Sequence, residues 1–329
     1  MKISNLLFGV LGTLLISFAV FIGYKTFIDF NKVVDITYGT DPNYIVYTKT
    51  SIKSAIENKN PATIYNINIL TYNLSKEQIK GFEQLKSDNV NIKVIPVDLV
   101  KMTGMSLSEI NNYKHKTNNI YKFILSEIFP NSDKILYIDS DTIVLKDLTK
   151  LYNTSIKRSY LAAVPKVEKI GFERIRTGDG KYKTVSTMKN YYDIAVILFN
   201  LDKFRKDNVK EKLISYKVKD EEGKYHVWWA FNEIIPKKNI KILPLIYGEY
   251  SRWSQEEYDS KMYNYPFIFG VNSYDDFRSK AVIIKFSYKD ESQKPLYNAE
   301  IPFGDLWWHY AQMVDSDLQR QDIKIKEKL

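Results

Sequence analysis

Cysteine is missing from this chain of 329 residues, and histidine occurs three times. Without cysteine there is no disulfide scaffold, thiolate-bound zinc, iron–sulfur cluster or thiol nucleophile. His115, His226 and His309 are spaced too widely for a His-x-x-x-His metal motif. Long apolar runs are scarce as well: residues 3–24 form one, and no comparable stretch follows. Internal repeats and low-complexity linkers are absent. Catalysis in such a chain rests on carboxylates, amides, hydroxyls, lysines or a metal held by oxygen.

What is present describes a folded protein. The chain is 44% hydrophobic, 14% aromatic and 26% charged, which excludes an intrinsically disordered composition. Its 48 Lys and Arg against 39 Asp and Glu give a net charge of +9. Residues 3–24 are uncharged and dominated by Leu, Phe, Ile and Val. At about 1.5 Å per residue such a helix spans roughly 33 Å, enough for a hydrocarbon core of about 30 Å. A cleaved signal peptide is the rival reading, but Phe18-Ala19-Val20-Phe21-Ile22-Gly23 lacks a small-x-small cleavage site. An N-terminal membrane anchor over residues 1–30 is therefore expected. Lys2 before the run and Lys25 and Lys32 after it leave the orientation open.

From residue 33 onward short β-type runs alternate with helical ones. Strands are expected at 33–38, 66–70, 90–97 and 134–138, with helices at 45–58, from the capping box Ser75-Lys76-Glu77-Gln78 to about residue 87, and at 119–129. Further strands at 161–164, 194–199, 240–243 and 281–286 are expected to extend the same sheet. The alternation implies an α/β fold with a mostly parallel central sheet and helices on both faces. One domain over residues 31–312 suits this better than two, followed by a basic C-terminal tail at 313–329.

Four patches carry chemistry. In Ile135-Leu136-Tyr137-Ile138-Asp139-Ser140-Asp141 a buried strand stops at two carboxylates, which converge at its carboxyl end if they keep the i, i+2 alternation. That arrangement suits Mn²⁺ or Mg²⁺ completed by phosphate oxygens, and the plainer reading is a polar turn. Tyr38-Gly39-Thr40-Asp41-Pro42-Asn43-Tyr44 offers aromatic and polar groups to a base or ribose, or is a plain Asp-Pro-Asn turn. Asp193 begins a buried strand whose end is simply solvated in the bland reading. Lys285 and Lys294 bring ammonium groups to a diphosphate, or lie on a solvated basic loop.

Taken in this order the patches resemble glycosyltransferase family 8, over about residues 33–311. Tyr121-Lys122-Phe123, Phe129-Pro130 and Asp133 to Asp141 look like its central signature, Thr40-Asp41 with Asn43-Tyr44 like its uridine-binding turn, and Leu306-Trp307-Trp308-His309-Tyr310-Ala311 like the Trp-rich closing helix of its bacterial members. The resemblance implies a GT-A fold, a UDP-hexose donor, bound Mn²⁺ and transfer with retention of configuration. It implies that Asp139 and Asp141 hold the metal, and that Tyr38, Thr40, Asp41 and Tyr44 line the uridine pocket. Lys122, Ser140, Lys285 and Lys294 join the donor-binding set, with Lys294 on the diphosphate.

Three departures stand out. The family's third metal ligand is a His where this chain has Lys285, which either leaves the metal to two carboxylates or supplies positive charge itself. The family's Asn-x-Gly reads Asp193-Ile194-Ala195, and its Asp-Gln pair falls at Trp228-Trp229. Asp193 is the candidate to replace the lost polar pair beside the reacting carbon. The expected activity is a membrane-anchored, metal-assisted hexosyltransferase acting on a glycolipid or surface polysaccharide, as in lipopolysaccharide biosynthesis. The alternative is a relative that binds nucleotide-sugar without turnover. No nucleic-acid motif accompanies the positive charge. A bacterial inner membrane with a cytoplasmic catalytic domain is the expected location. The sequons Asn73-Leu74-Ser75 and Asn153-Thr154-Ser155 carry the Golgi-lumen alternative.

Overall fold

The computed structural model describes residues 32–113, 116–165, 172–176, 182–186, 192–220, 222–250, 256, 273–286, 291–316 and 318. The expected anchor lies outside these residues. Among the described residues, no helix is long and apolar enough to cross a membrane.

The first half runs β1 (Val33–Gly39), α1 (Ile45–Glu57), β2 (Ile64–Thr71), α2 (Lys76–Glu83), β3 (Val90–Pro96), α3 (Leu99–Thr103), α4 (Leu107–Asn111), α5 (Lys116–Ile128) and β4 (Lys134–Ile138). Then follow β5 (Thr142–Val144), α6 (Thr149–Tyr152), β6 (Leu161–Pro165), β7 (Phe172–Arg176), β8 (Tyr182–Ser186) and β9 (Tyr192–Asn200). The remainder comprises α7 (Leu201–Lys206), α8 (Val209–Ser215), α9 (Val227–Ile234), β10 (Ile240–Ile242), β11 (Glu249–Tyr250), α10 (Tyr274–Lys280), β12 (Ile283–Lys285) and α11 (Gly304–Val314).

The main sheet has the order β10-β6-β9-β4-β1-β2-β3. β9 pairs antiparallel with both β4 and β6, and the other pairs are parallel. The central strands β4, β6 and β9 are buried along nearly their whole length, which explains their nearly continuous apolar runs, whereas β3 and β10 at the edges keep exposed positions. In β4, Leu136 and Ile138 enter one core with Ile36, Ile52 and Trp307, while Ile135 and Tyr137 enter the other with Phe123, Phe199 and Phe231. α11 closes the first core: the Tyr47 and Trp307 rings stand 5.4 Å apart, and Asn58 donates to the Tyr310 hydroxyl at 2.7 Å. In the second core, Phe204 meets Phe199 edge-on at 5.3 Å.

The Ser75 capping box forms as expected: Ser75 Oγ accepts from the Gln78 amide, and Gln78 Oε1 accepts from the Ser75 amide at 2.9 Å. The helix it opens stops at Glu83 rather than near residue 87. One strand is placed differently from expectation. Residues 283–285 do not extend the main sheet; β12 joins a second, three-stranded sheet of order β11-β12-β5. Its antiparallel register sets Lys285 opposite Thr142, and the Phe286 amide donates to the Asp141 carbonyl at 2.8 Å. This small sheet is what brings a late strand against the residues that follow β4.

Candidate active site

The sheet's order reverses at β1: β2 lies on one side of it and β4 on the other. Open α/β sheets bind ligands at the carboxyl ends of strands flanking such a point. Here those ends carry Gly39-Thr40-Asp41 and Asp139-Ser140-Asp141. Because β9 is antiparallel, its amino end also reaches this edge; the Asp139 amide donates to the Ala195 carbonyl at 2.8 Å, so Asp193 arrives beside Asp139.

Strand alternation decides what Asp139 meets. It continues the Tyr137 face, the side covered by α5, and Lys122 of α5 donates to Asp139 Oδ1 at 2.8 Å. The same ammonium lies 4.8 Å from the Tyr137 ring centre and donates to Asn119 Oδ1 at 2.6 Å. From the small sheet, Lys285 donates to Asp139 Oδ2 at 2.9 Å and stands 3.9 Å from Asp193 Oδ1. Lys294 lies 3.7 Å from Asp141 Oδ2 and donates to the Tyr44 hydroxyl at 2.8 Å. These lysines are 0%, 9% and 3% exposed for Lys122, Lys285 and Lys294, whereas an ordinary lysine keeps its ammonium in water. Their burial is tolerable because each faces a carboxylate.

The charges settle accordingly. Burial alone would raise the Asp139 carboxyl, but Lys122 and Lys285 outweigh it and hold Asp139 below the ordinary carboxylate value. Burial opposes the charge on Lys285, yet Asp139, Asp193 and Asp141 overcome it and hold that ammonium well above the usual lysine value. For Lys122 burial wins, lowering it from the ordinary value against the pull of Asp139.

On the opposite face, Ser140 turns toward α1. Its hydroxyl donates to the Gly39 carbonyl at 2.9 Å and receives a bond from Thr48 at 2.8 Å, and Thr48 in turn meets Thr40 Oγ1 at 2.8 Å. Ser140 and Thr40 are thus expected donor contacts whose side chains are buried and engaged through Thr48. Tyr38 is corrected more firmly. It is fully buried in the core beneath the turn, where its hydroxyl accepts from Ser51 at 3.3 Å, so it supports the pocket rather than lining it. Asp41 caps the Pro42–Tyr44 turn through the Asn43 amide at 2.8 Å, and its second oxygen accepts from Asn118 at 3.0 Å. The plain turn and the candidate base-binding loop are therefore one structure, in which Tyr44 stays partly exposed. Gly39 is required here by close approach: a methyl group on it would lie 2.6 Å from the Tyr137 hydroxyl and 2.7 Å from the Tyr121 ring.

Asp193 is 6% exposed, and its Oδ1 accepts from the Ala195 amide at 2.7 Å. Behind it, Asn232 of α9 accepts from the Tyr192 amide at 2.8 Å and donates to the Trp228 carbonyl at 2.8 Å. The turn bearing Trp228 and Trp229 is thereby tied to the start of β9. Sequence reasoning missed the buttress beneath them. The Trp228 indole donates to His226 Nδ1 at 3.2 Å, so the other ring nitrogen, Nε2, carries the proton and donates to Asp220 at 2.6 Å. The His226 ring stacks on Trp229 with centres 4.5 Å apart. Asn118, Asn119 and Thr48 were also missed, although the three-residue spacing of Asn119 and Lys122 on a helix was a usable signal.

The expected Mn²⁺ or Mg²⁺ on Asp139 and Asp141 does not fit this donor set. Both oxygens of Asp139 already accept from ammonium groups, and Lys294 stands against Asp141. Among the described residues no group of three His, Asp or Glu side chains could hold a metal. A dication about 4 Å from an ammonium is repelled by about 8 kcal/mol at an effective dielectric near 20. The arrangement instead presents a cluster of fixed positive charges at the ligand-binding edge, balanced by three carboxylates.

The sequence profile described as Glycosyl transferase family 8 matches residues 35–265. General stress protein A of Bacillus subtilis is 20% identical over 295 residues, covering 85% of this chain and 93% of its own length. Glycosyltransferase GlyE of Streptococcus pneumoniae is 22% identical over 282 residues, covering 84% of this chain and 61% of its own length. Among solved structures, the bifunctional glycosyltransferase WbbM superposes with a TM-score of 0.65 at 18% identity, over 88% of this chain and 51% of that one. The galactosyltransferase LgtC, solved with donor and acceptor sugar analogs, gives 0.60 at 20% identity, over 86% of this chain and 96% of that one. These likenesses carry the fold. The chain spans most of general stress protein A and LgtC, but only about half to three fifths of WbbM and GlyE.

Proposed function

Since the chain belongs to glycosyltransferase family 8 and has its α/β, GT-A-like fold, we propose that it transfers a hexose from a UDP-sugar to a glycolipid or surface-polysaccharide acceptor, with retention of configuration. The observation that carries this reading is the convergence of Lys122, Lys285 and Lys294 at the carboxyl edge beside the Asp41–Tyr44 turn. A diphosphate needs cations, and a base needs an aromatic face with polar edges; both lie within one side chain of Tyr44, which touches Lys294.

Each residue then has a task. Tyr44 stacks on the uracil while Asp41, held by Asn118, hydrogen-bonds the nucleoside. Lys294 and Lys285 receive the diphosphate and neutralise the charge that grows on it as the sugar leaves. The acceptor hydroxyl forms a bond to the anomeric carbon, and the bond from that carbon to the β-phosphate oxygen breaks. The electron pair stays on UDP, and the hydroxyl proton leaves with UDP or water. Asp193 lies nearest the reacting carbon, and Trp228 and Trp229 offer flat apolar faces to the acceptor sugar. The apolar run at 3–24 and the net charge of +9 favour an anionic membrane surface, with the catalytic domain on the cytoplasmic side of a bacterial inner membrane.

The test is to incubate the full chain with a panel of UDP-hexoses and measure released UDP with and without membrane glycolipid extract. UDP release that rises with extract supports transfer. A second reading, nucleotide-sugar binding without turnover, draws on Trp228 and Trp229 standing where polar residues are expected; binding with no release from any UDP-hexose favours it.

A further inference from the structure

We propose that Lys285 is a built-in cation that makes donor binding at this site independent of divalent metal. The proposal rests on the reading that the donor is a nucleoside diphosphate sugar, and it concerns how this chain's own residues meet that diphosphate.

Four observations point the same way. Lys285 is fixed by its backbone between two strands, paired with Thr142 of β5 on one side and Tyr250 of β11 on the other, and the next amide, that of Phe286, donates to the Asp141 carbonyl. It therefore belongs to a strand rather than to a loop that swings clear when a metal arrives. Its ammonium holds the outer oxygen of Asp139 at 2.9 Å while Lys122, fully buried, holds the inner one at 2.8 Å. A metal on Asp139 would have to share an oxygen with an ammonium that repels it or break a buried ion pair, and breaking a buried pair is costly. Asp193 adds a further carboxylate to the surroundings of Lys285, its Oδ1 standing 3.9 Å from the ammonium. Finally, Lys294 places another buried ammonium beside Asp141, so both carboxylates of the Asp-Ser-Asp turn are matched by amines. The carboxylates act as positioning residues: they hold preorganised ammonium groups at the edge where phosphate oxygens would lie. An ammonium has three donors; Lys285 gives one to Asp139 and Lys294 one to Tyr44, and the others can meet phosphate oxygens in charge-assisted bonds about twice as strong as neutral ones.

The experiment is calorimetry of the full chain with UDP, first in excess chelator and then in millimolar Mn²⁺, together with Mn²⁺ titrated alone. The expected result is a UDP Kd in chelator within about threefold of that in Mn²⁺, and no detectable heat from Mn²⁺ alone. Lys285→Met should weaken UDP binding about tenfold or more in chelator. Lys285→Arg should retain metal-free binding, and Lys285→His should recover affinity only when Mn²⁺ is added. UDP binding by the unaltered chain that appears only with Mn²⁺ overturns the proposal while leaving a nucleotide site in place. Folded protein that binds no UDP in either buffer overturns the underlying functional reading and this inference together. Because the chelator comparison uses the unaltered chain, the outcome does not hang on any variant folding.

Discussion

At the scale of single residues, the candidate site is a matter of which oxygen meets which amine. Asp139 accepts from two ammonium groups, whereas Asp193 has Lys285 at the longer distance of 3.9 Å and a backbone amide at 2.7 Å. Asp193 is thus a buried carboxylate at the same edge, held chiefly through the Ala195 amide rather than by a close ammonium. Asp193→Asn keeps an acceptor for the Ala195 amide and removes only the charge. It should lower transfer at least about tenfold with the UDP Kd changed less than threefold. If UDP affinity falls in step with transfer, Asp193 serves only to hold Lys285. The turn residues teach a different lesson. Thr40 and Ser140 look like ligand contacts in sequence, being small and polar at strand ends, but their hydroxyls close a buried chain through Thr48 that pins α1 to the ends of β1 and β4. Sequence reveals that a hydroxyl is present, not which partner three or ninety residues away will consume it.

At the scale of elements, the closing helix governs the Lys294 loop. Trp308 of α11 is buried, and its indole donates to the Pro295 carbonyl at 2.8 Å, one residue beyond Lys294. Trp308→Phe removes that donor, leaving a buried carbonyl short of a partner at a cost of about 1–3 kcal/mol. Thermal unfolding should shift down by several degrees, and UDP affinity should weaken a few-fold as Lys294 loosens. Unchanged affinity would separate the helix from the donor site. The elements that sequence made legible share a cause. β4 and β9 are buried along nearly their whole length, so they appear as nearly unbroken apolar runs, β3 shows itself by alternating buried Val90 and Ile92 with exposed Asn91 and Lys93, and the box at Ser75 announces its helix by two reciprocal bonds. The second box, Ser106 with Glu109, went unread because α4 covers only Leu107–Asn111, too short for helical periodicity. The sheet to which β12 belongs was illegible for another reason. Its apolar run fits either sheet, and the choice is made by β5, a three-residue strand far away in sequence. The burial of Lys285 follows from that pairing and from nothing local.

At the scale of the whole molecule, the edge opposite the site is tied by Asp147. Its carboxylate accepts from the Asn60 amide at 2.9 Å, the Thr149 amide at 2.9 Å and the Tyr65 hydroxyl at 3.1 Å, joining the segment after β5 to the entry of β2. Burial works to raise Asp147, but these bonds more than offset it and hold it below the ordinary carboxylate value. A carboxylate depressed in the folded state contributes stability above its unfolded pKa of about 3.9, and loses that contribution as pH falls through the lower folded value. Asp147→Asn should therefore cost about 1–2 kcal/mol at neutral pH. The gap between variant and unaltered protein should close progressively below about pH 4. Denaturant titrations at several pH values read this directly, and a gap that is independent of pH would mean that the ionised form gives no advantage.

The second sheet also imposes an order in time. Lys285 follows Asp139 by 146 residues, a separation that a ribosome covers in roughly 7–30 s. Through that interval Asp139 has emerged with Lys122 but not with its second amine. β4 likewise awaits β9, the strand that lies between it and β6. A nascent chain can assemble the parallel strands early and still present an open strand edge, the kind of surface chaperones guard. The cation cluster is completed last, once β12 has docked on β5 and Lys294 has followed it into place, so the protein acquires its capacity for substrate only after nearly the whole chain has been made.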